Sequence, residues 1–154
     1  MVTMPSALHD NGVFVTAFAE TVQGLSAYWH DVDTKHGASA HLAFIEGGVF
    51  TTSLREYSGR EAIQEFYRAR HGKGPRVSRH LVTNLLMEMI EPERRSWRWI
   101  LILHAADGEA ILPSEPAIMI ADVEDEAVRG NDGIWRLKSR RVTPQFKSLT
   151  PTTG

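Results

Sequence analysis

Between residues 13 and 32 the apolar side chains Phe14, Phe18, Val22, Leu25, Trp29 and Val32 recur at steps of four, four, three, four and three. That spacing predicts an amphipathic helix with one face turned to a core. A shorter apolar group, Leu42, Phe44 and Ile45, ends at Gly47-Gly48 and predicts a brief second helix followed by an extended segment over 49–53. Ser58 and Glu61 have the spacing of a capping box, with Ile63 and Phe66 on one face behind them. A third helix is expected from there to the break at Gly72-Lys73-Gly74-Pro75.

Beyond Pro75 the period changes. Four stretches rich in apolar and branched residues, 77–90, 97–105, 117–123 and 135–142, are separated by Glu91-Pro92-Glu93-Arg94, Asp107-Gly108 and Gly130-Asn131-Asp132-Gly133, and Pro144 follows the last. This predicts a meander of antiparallel strands. In 97–105, Trp97, Trp99, Leu101 and Leu103 alternate with Arg98, Ile100, Ile102 and His104, so both strand faces are apolar at the centre. Helices first and strands afterwards argue for a segregated α+β domain rather than a parallel nucleotide-binding sheet, and no glycine-rich phosphate loop is present.

Composition narrows the functions more than the fold. At 154 residues with 42% hydrophobic and 23% charged residues, the chain is expected to form a single domain over 1–154, with a core near 10–146 and a tail over 147–154. A net charge of −2 offers no basic footprint for nucleic acid or an anionic membrane, so neither partner is expected. The absence of cysteine removes disulfides, thiolate metal sites and cysteine nucleophiles, and the N-terminal segment lacks a signal-peptide pattern; a cytoplasmic protein is expected. The seven histidines show no metal-ligand spacing and no serine lies in a nucleophile elbow, so no metal is expected.

Two segments could carry chemistry. Tyr28-Trp29-His30-Asp31-Val32-Asp33 places a phenol, an imidazole and two carboxylates at the end of the long helix, where acids oppose the macrodipole. The alternative is a polar helix end turned to solvent. In Ser78-Arg79-His80-Leu81-Val82-Thr83-Asn84, strand alternation sends His80, Val82 and Asn84 to one face. His80 can move a proton near neutral pH if a carboxylate fixes its tautomer, or it can be a buried histidine satisfied by backbone.

The order of these segments resembles SnoaL-like proteins of the nuclear-transport-factor-2-like superfamily, which include scytalone dehydratase and bile acid dehydratase. The resemblance spans about residues 10–146. It rests on the helix end above, on Glu46-Gly47-Gly48-Val49-Phe50, Gly59-Arg60-Glu61-Ala62-Ile63 and Arg79-His80-Leu81-Val82-Thr83-Asn84, and on Gly133-Ile134-Trp135-Arg136-Leu137. It implies a cone-shaped α+β barrel, three N-terminal helices on a curved, mainly antiparallel sheet, enclosing a pocket for a small apolar or aromatic ligand. It also implies a catalytic pair of Asp33 and His80, with Tyr28 where bile acid dehydratase has a catalytic tyrosine. The second catalytic histidine of scytalone dehydratase has no counterpart near Pro116-Ala117-Ile118-Met119, and His104 is an unaligned substitute. The expected activity is a cofactor-independent lyase or isomerase on a cyclic ketone or alcohol, with Asn84, Trp29 and Val82 on the substrate. A non-catalytic binding protein or a structural subunit is the alternative. Apolar area on both sheet faces suggests a homodimer or homotrimer.

Overall fold

A computed structural model describes residues 11–149 of the chain. Two α-helices, α1 (Asn11–Lys35) and α2 (Arg60–His71), pack on six strands: β1 (Phe44–Thr51), β2 (Glu56–Ser58), β3 (Arg76–Ile90), β4 (Arg94–Asp107), β5 (Met119–Arg129) and β6 (Trp135–Lys147). The sheet order is β2-β1-β6-β5-β4-β3. All pairings are antiparallel except β1 with β6, which is parallel. The meander predicted from the sequence is β3 to β6, and the sheet stays open, with β2 and β3 as its edges. This is the α+β cone-like fold.

The expected second helix is not an α-helix. Ala40–Ala43 form one 3-10 turn, and Phe44 and Ile45 already belong to β1, where Phe44 pairs with Leu137 of β6. So short a segment cannot offset the cost of nucleating a helix, and the sheet pairing wins. Gly48 lets β1 close in here: a Cβ at that position would lie 2.8 Å from that of Phe44. The capping box is also not formed. Ser58 ends β2 and donates to Glu56, while Gly59 precedes α2 without a side-chain cap.

Helix α1 buries Ala17, Thr21, Leu25, Tyr28, Trp29 and Val32. Its N-terminal apolar residues Val15, Phe18 and Val22 are exposed, because the buried stripe runs through Ala17 and Thr21 instead. On β4 the alternation holds: Trp97, Trp99, Leu101 and Leu103 are buried. Trp97, Trp99 and Leu101 meet α1, Phe44 and Phe50, and Val123 and Val142 of the neighbouring strands in one continuous core. At the centre of that core Arg140 and Asp125 form an ion pair, with 1% and 0% of their side chains exposed.

Candidate functional site

Asp33 lies in the last turns of α1 and His80 near the start of β3, so helix and sheet edge converge on one point. Asp33 Oδ1 is 2.6 Å from His80 Nδ1, and Asp33 Oδ2 accepts a hydrogen bond from the His80 backbone N–H at 2.9 Å. The Ser78 hydroxyl donates to Oδ1 at 2.7 Å. Side-chain exposure is 9% for Asp33 and 4% for His80, so this is a buried pair. Trp29, one helical turn before Asp33, stacks on the imidazole at 4.1 Å with the rings 9° from parallel. The i, i+4 spacing of Trp29 and Asp33 therefore grips His80 by face and by edge.

Electrostatics favour a neutral imidazole beside an ionised carboxylate. Burial alone would raise Asp33, but the ring and backbone of His80 and the Ser78 hydroxyl hold its carboxyl below the usual value. Burial pushes His80 below its ordinary value; the bond to Asp33 works against that shift, and the charges of Arg70 and Arg76 add to it. A carboxylate only accepts hydrogen bonds, so Nδ1 carries the proton and Nε2 holds the free lone pair.

His80 and Trp29 border a cavity of about 530 Å³ together with Phe50, Phe66, Tyr67 and Leu101. That volume suits a small molecule. The opening is flanked by the loop at Thr52-Ser53-Leu54, by the C-terminal end of α2 and by Lys147-Ser148-Leu149. The first three residues of the expected tail thus border the mouth, and 150–154 lie outside the described residues.

The other expected site residues are elsewhere. Helix α1 does not unwind before Asp33, so Tyr28 points to its other side. There its hydroxyl is 2.5 Å from that of Tyr67, the Arg140 guanidinium lies 4.5 Å over its ring, and it borders a smaller cavity of about 110 Å³. Asn84 does not share the face of His80. A bulge between Thr83 and Leu86 interrupts the alternation, and Asn84 sits exposed at φ 53°, a left-handed conformation asparagine tolerates. Val82 packs against the core instead of bordering the large cavity. Asp31 accepts hydrogen bonds from the backbone and hydroxyl of Ser39, and His104 is exposed beside Glu115.

Ser78 and Tyr67 were not singled out by the sequence. Alternation from His80 could have placed Ser78 on the same face, whereas Tyr67 comes from α2 with no local signal. Gly37 helps seat Tyr67: it follows the left-handed His36 (φ 59°) just past the end of α1, and a Cβ at Gly37 would lie 2.5 Å from the Tyr67 ring.

An open, cone-like sheet with a long helix packed on it is the fold of the nuclear-transport-factor-2-like class. The SnoaL-like domain matches residues 15–141, and the chain belongs to that family. No curated protein matches the sequence. Among solved structures, a Catenulispora acidiphila protein in complex with S-DNPA is 26% identical, with a TM-score of 0.72 over 84% of this chain and 94% of that one. ActVI-ORFA of Streptomyces coelicolor is 21% identical, with a TM-score of 0.74 over 84% and 98%. A Novosphingobium aromaticivorans protein provisionally named a scytalone dehydratase shares the fold at 14% identity, with a TM-score of 0.78 over 92% and 93%.

Proposed function

We propose that the protein is a lyase or isomerase that needs no cofactor and acts on a mostly apolar cyclic ketone or alcohol by proton transfer at His80. The observation that carries this reading is His80 at the wall of a cavity of about 530 Å³, with its Nδ1 committed to Asp33. Nε2 takes a proton from carbon next to a carbonyl. It returns that proton to a leaving hydroxyl in a dehydration, or to another carbon in an isomerisation. Asp33 holds the tautomer and stabilises the imidazolium, and the stacked Trp29 face favours the same cation. Tyr67 borders the cavity, and burial keeps its phenol protonated far above neutral pH. It is assigned the hydrogen bond to the developing enolate oxygen, with Tyr28 bonded behind it.

The test is exchange of acidic protons in deuterated water across a set of cyclic ketones, followed by NMR. Wild type should catalyse exchange, and His80→Ala should not. Equal exchange by both proteins, with the variant still folded, would refute the assignment. Assembly as a homodimer or homotrimer fits Leu81 and Leu86, which are exposed on β3, and a solution mass equal to one chain would refute it.

A further inference from the structure

The large cavity has a charge of one sign at its mouth. Arg70, Lys73, Arg76 and Lys147 line it, and among the described residues no aspartate or glutamate does, although Asp107 and Asp33 act on the Arg76 charge from outside the lining. The whole chain has 17 basic and 19 acidic residues, so an all-basic rim runs against its composition. Cations in the last turn of α2 have a local reason, since they face the negative end of the helix dipole. That reason covers Arg70 but not Arg76 at the start of β3 or Lys147 at the end of β6. Three elements therefore bring positive charge to one opening. No carboxylate of the described residues lies within 4.0 Å of the charged nitrogens of Arg70, Lys73 or Lys147. Arg70 instead lies over the Tyr67 ring, its guanidinium carbon 5.1 Å from the centroid. The inner wall is different in kind, being formed by Phe50, Phe66, Leu101, Leu103 and Val142.

We infer that the substrate is an amphiphile with an anionic group, a carboxylate or its equivalent, held by Arg70, Lys73 and Lys147 at the mouth while its apolar ring system lies inward beside His80. This rests on the proposed use of the cavity and adds the class of molecule it accepts. A one-signed opening raises the local concentration of anions and fixes which end of the ligand enters first. An apolar ligand without the charge would fill the same inner space but lose that orientation.

The experiment compares 2-naphthylacetate with 2-naphthylacetamide, two probes of one shape that differ in charge, by calorimetric titration at low and at 0.5 M salt. Wild type should bind the carboxylate about tenfold more tightly at low salt, with the gap closing at high salt. The double variant Lys73→Gln/Lys147→Gln should lose most of that preference while binding the amide as wild type does. Equal binding of the two probes to wild type would overturn the anionic inference and leave the apolar cavity reading standing. A preference unchanged in the double variant would also overturn it, since the charge would then come from elsewhere. Binding of neither probe would overturn both this inference and the proposed use of the cavity.

Discussion

Among the described residues two carboxylates, Asp125 and Asp33, have side chains shut off from solvent and surrounded by donors, but with different partners. Asp125 accepts from Trp97 Nε1 and Trp99 Nε1, both at 2.8 Å, and from Arg140 Nε and Nη2 at 2.8 and 2.9 Å. Asp33 accepts from Ser78 and twice from His80. The partner makes the difference. Arg140 is held charged by Asp125 despite its burial, far beyond any physiological pH. His80 is held below its ordinary value by burial, can lose its proton, and borders open space. A buried pair can carry chemistry when its cation can lose its proton and a ligand can reach the nitrogen that lost it. With neither property, the Asp125 cluster ties β4, β5 and β6 together.

Breaking each pair should therefore fail in a different way. Asp125→Ala leaves a buried guanidinium unpaired and two indole N–H groups without acceptors, and should cost on the order of 3–5 kcal/mol of stability. The measurement is a urea melt; a loss below about 1 kcal/mol would show the cluster to be dispensable. His80→Ala leaves Asp33 with the Ser78 hydroxyl and the backbone N–H, so the fold should persist. Proton exchange should instead fall by about 10²–10⁴-fold. Asp33→Asn should lower the rate in the same range, because an amide can donate to Nδ1 and hold the proton on Nε2, the wrong tautomer for a base. An Asp33→Asn enzyme with full activity would mean that the carboxylate only anchors the end of α1 to β3.

The two clusters were not equally legible in the sequence. Asp33 and His80 stand in segments whose order resembles SnoaL-like proteins, and Trp29 and Asp33 share a helix face by their spacing alone. The meander from β3 to β6 was legible because strand alternation and turn residues are local signals. Asp125 lies beyond the predicted strand 117–123 and Arg140 is one of several cations in the predicted strand 135–142; only the register Asp125 to Arg140 brings them side by side. Asn84 misled for the opposite reason. Alternation assumes a regular strand, and a bulge between Thr83 and Leu86 leaves no sure mark in the sequence. Phe18 and Val22 fit a helical period, yet the core takes Ala17 and Thr21, because the sheet surface sets which face is buried. The basic mouth joins residues from three elements and has no sequence pattern at all.

The pH dependence sharpens the contrast. Burial lowers His80 below 6.5, so the rate constant kcat/KM should rise with pH through a midpoint below 6.5 and then level off. Stability should move in the same direction. As pH falls below 6.5 the unfolded chain takes up this proton before the folded one, so stability drops across the window down to the folded value. Asp33, lowered below 3.8, contributes stability above that value that is lost only as pH falls through its still lower folded value. Denaturant melts between pH 7 and 5 should show the histidine slope in wild type and a weaker slope in His80→Ala. A rate midpoint at or above 6.5 would contradict a histidine held neutral by burial.

The smallest effect separates support from chemistry at Tyr67. Its hydroxyl and that of Tyr28 share a buried hydrogen bond, and replacing one by phenylalanine leaves the other without that partner. Each substitution should cost about 1 kcal/mol of stability. If Tyr67 also donates to the enolate, Tyr67→Phe should lower kcat by about 10²-fold or more with little change in KM. Tyr28→Phe, which removes the group behind it, should cost the same stability with a loss of rate of only a few fold. Matching rate losses in the two variants would assign the phenol pair to packing alone. The enolate oxygen would then have to be met by another donor of the cavity wall, and Thr52 and Ser53, whose hydroxyl-bearing side chains border the same space, become the next residues to replace.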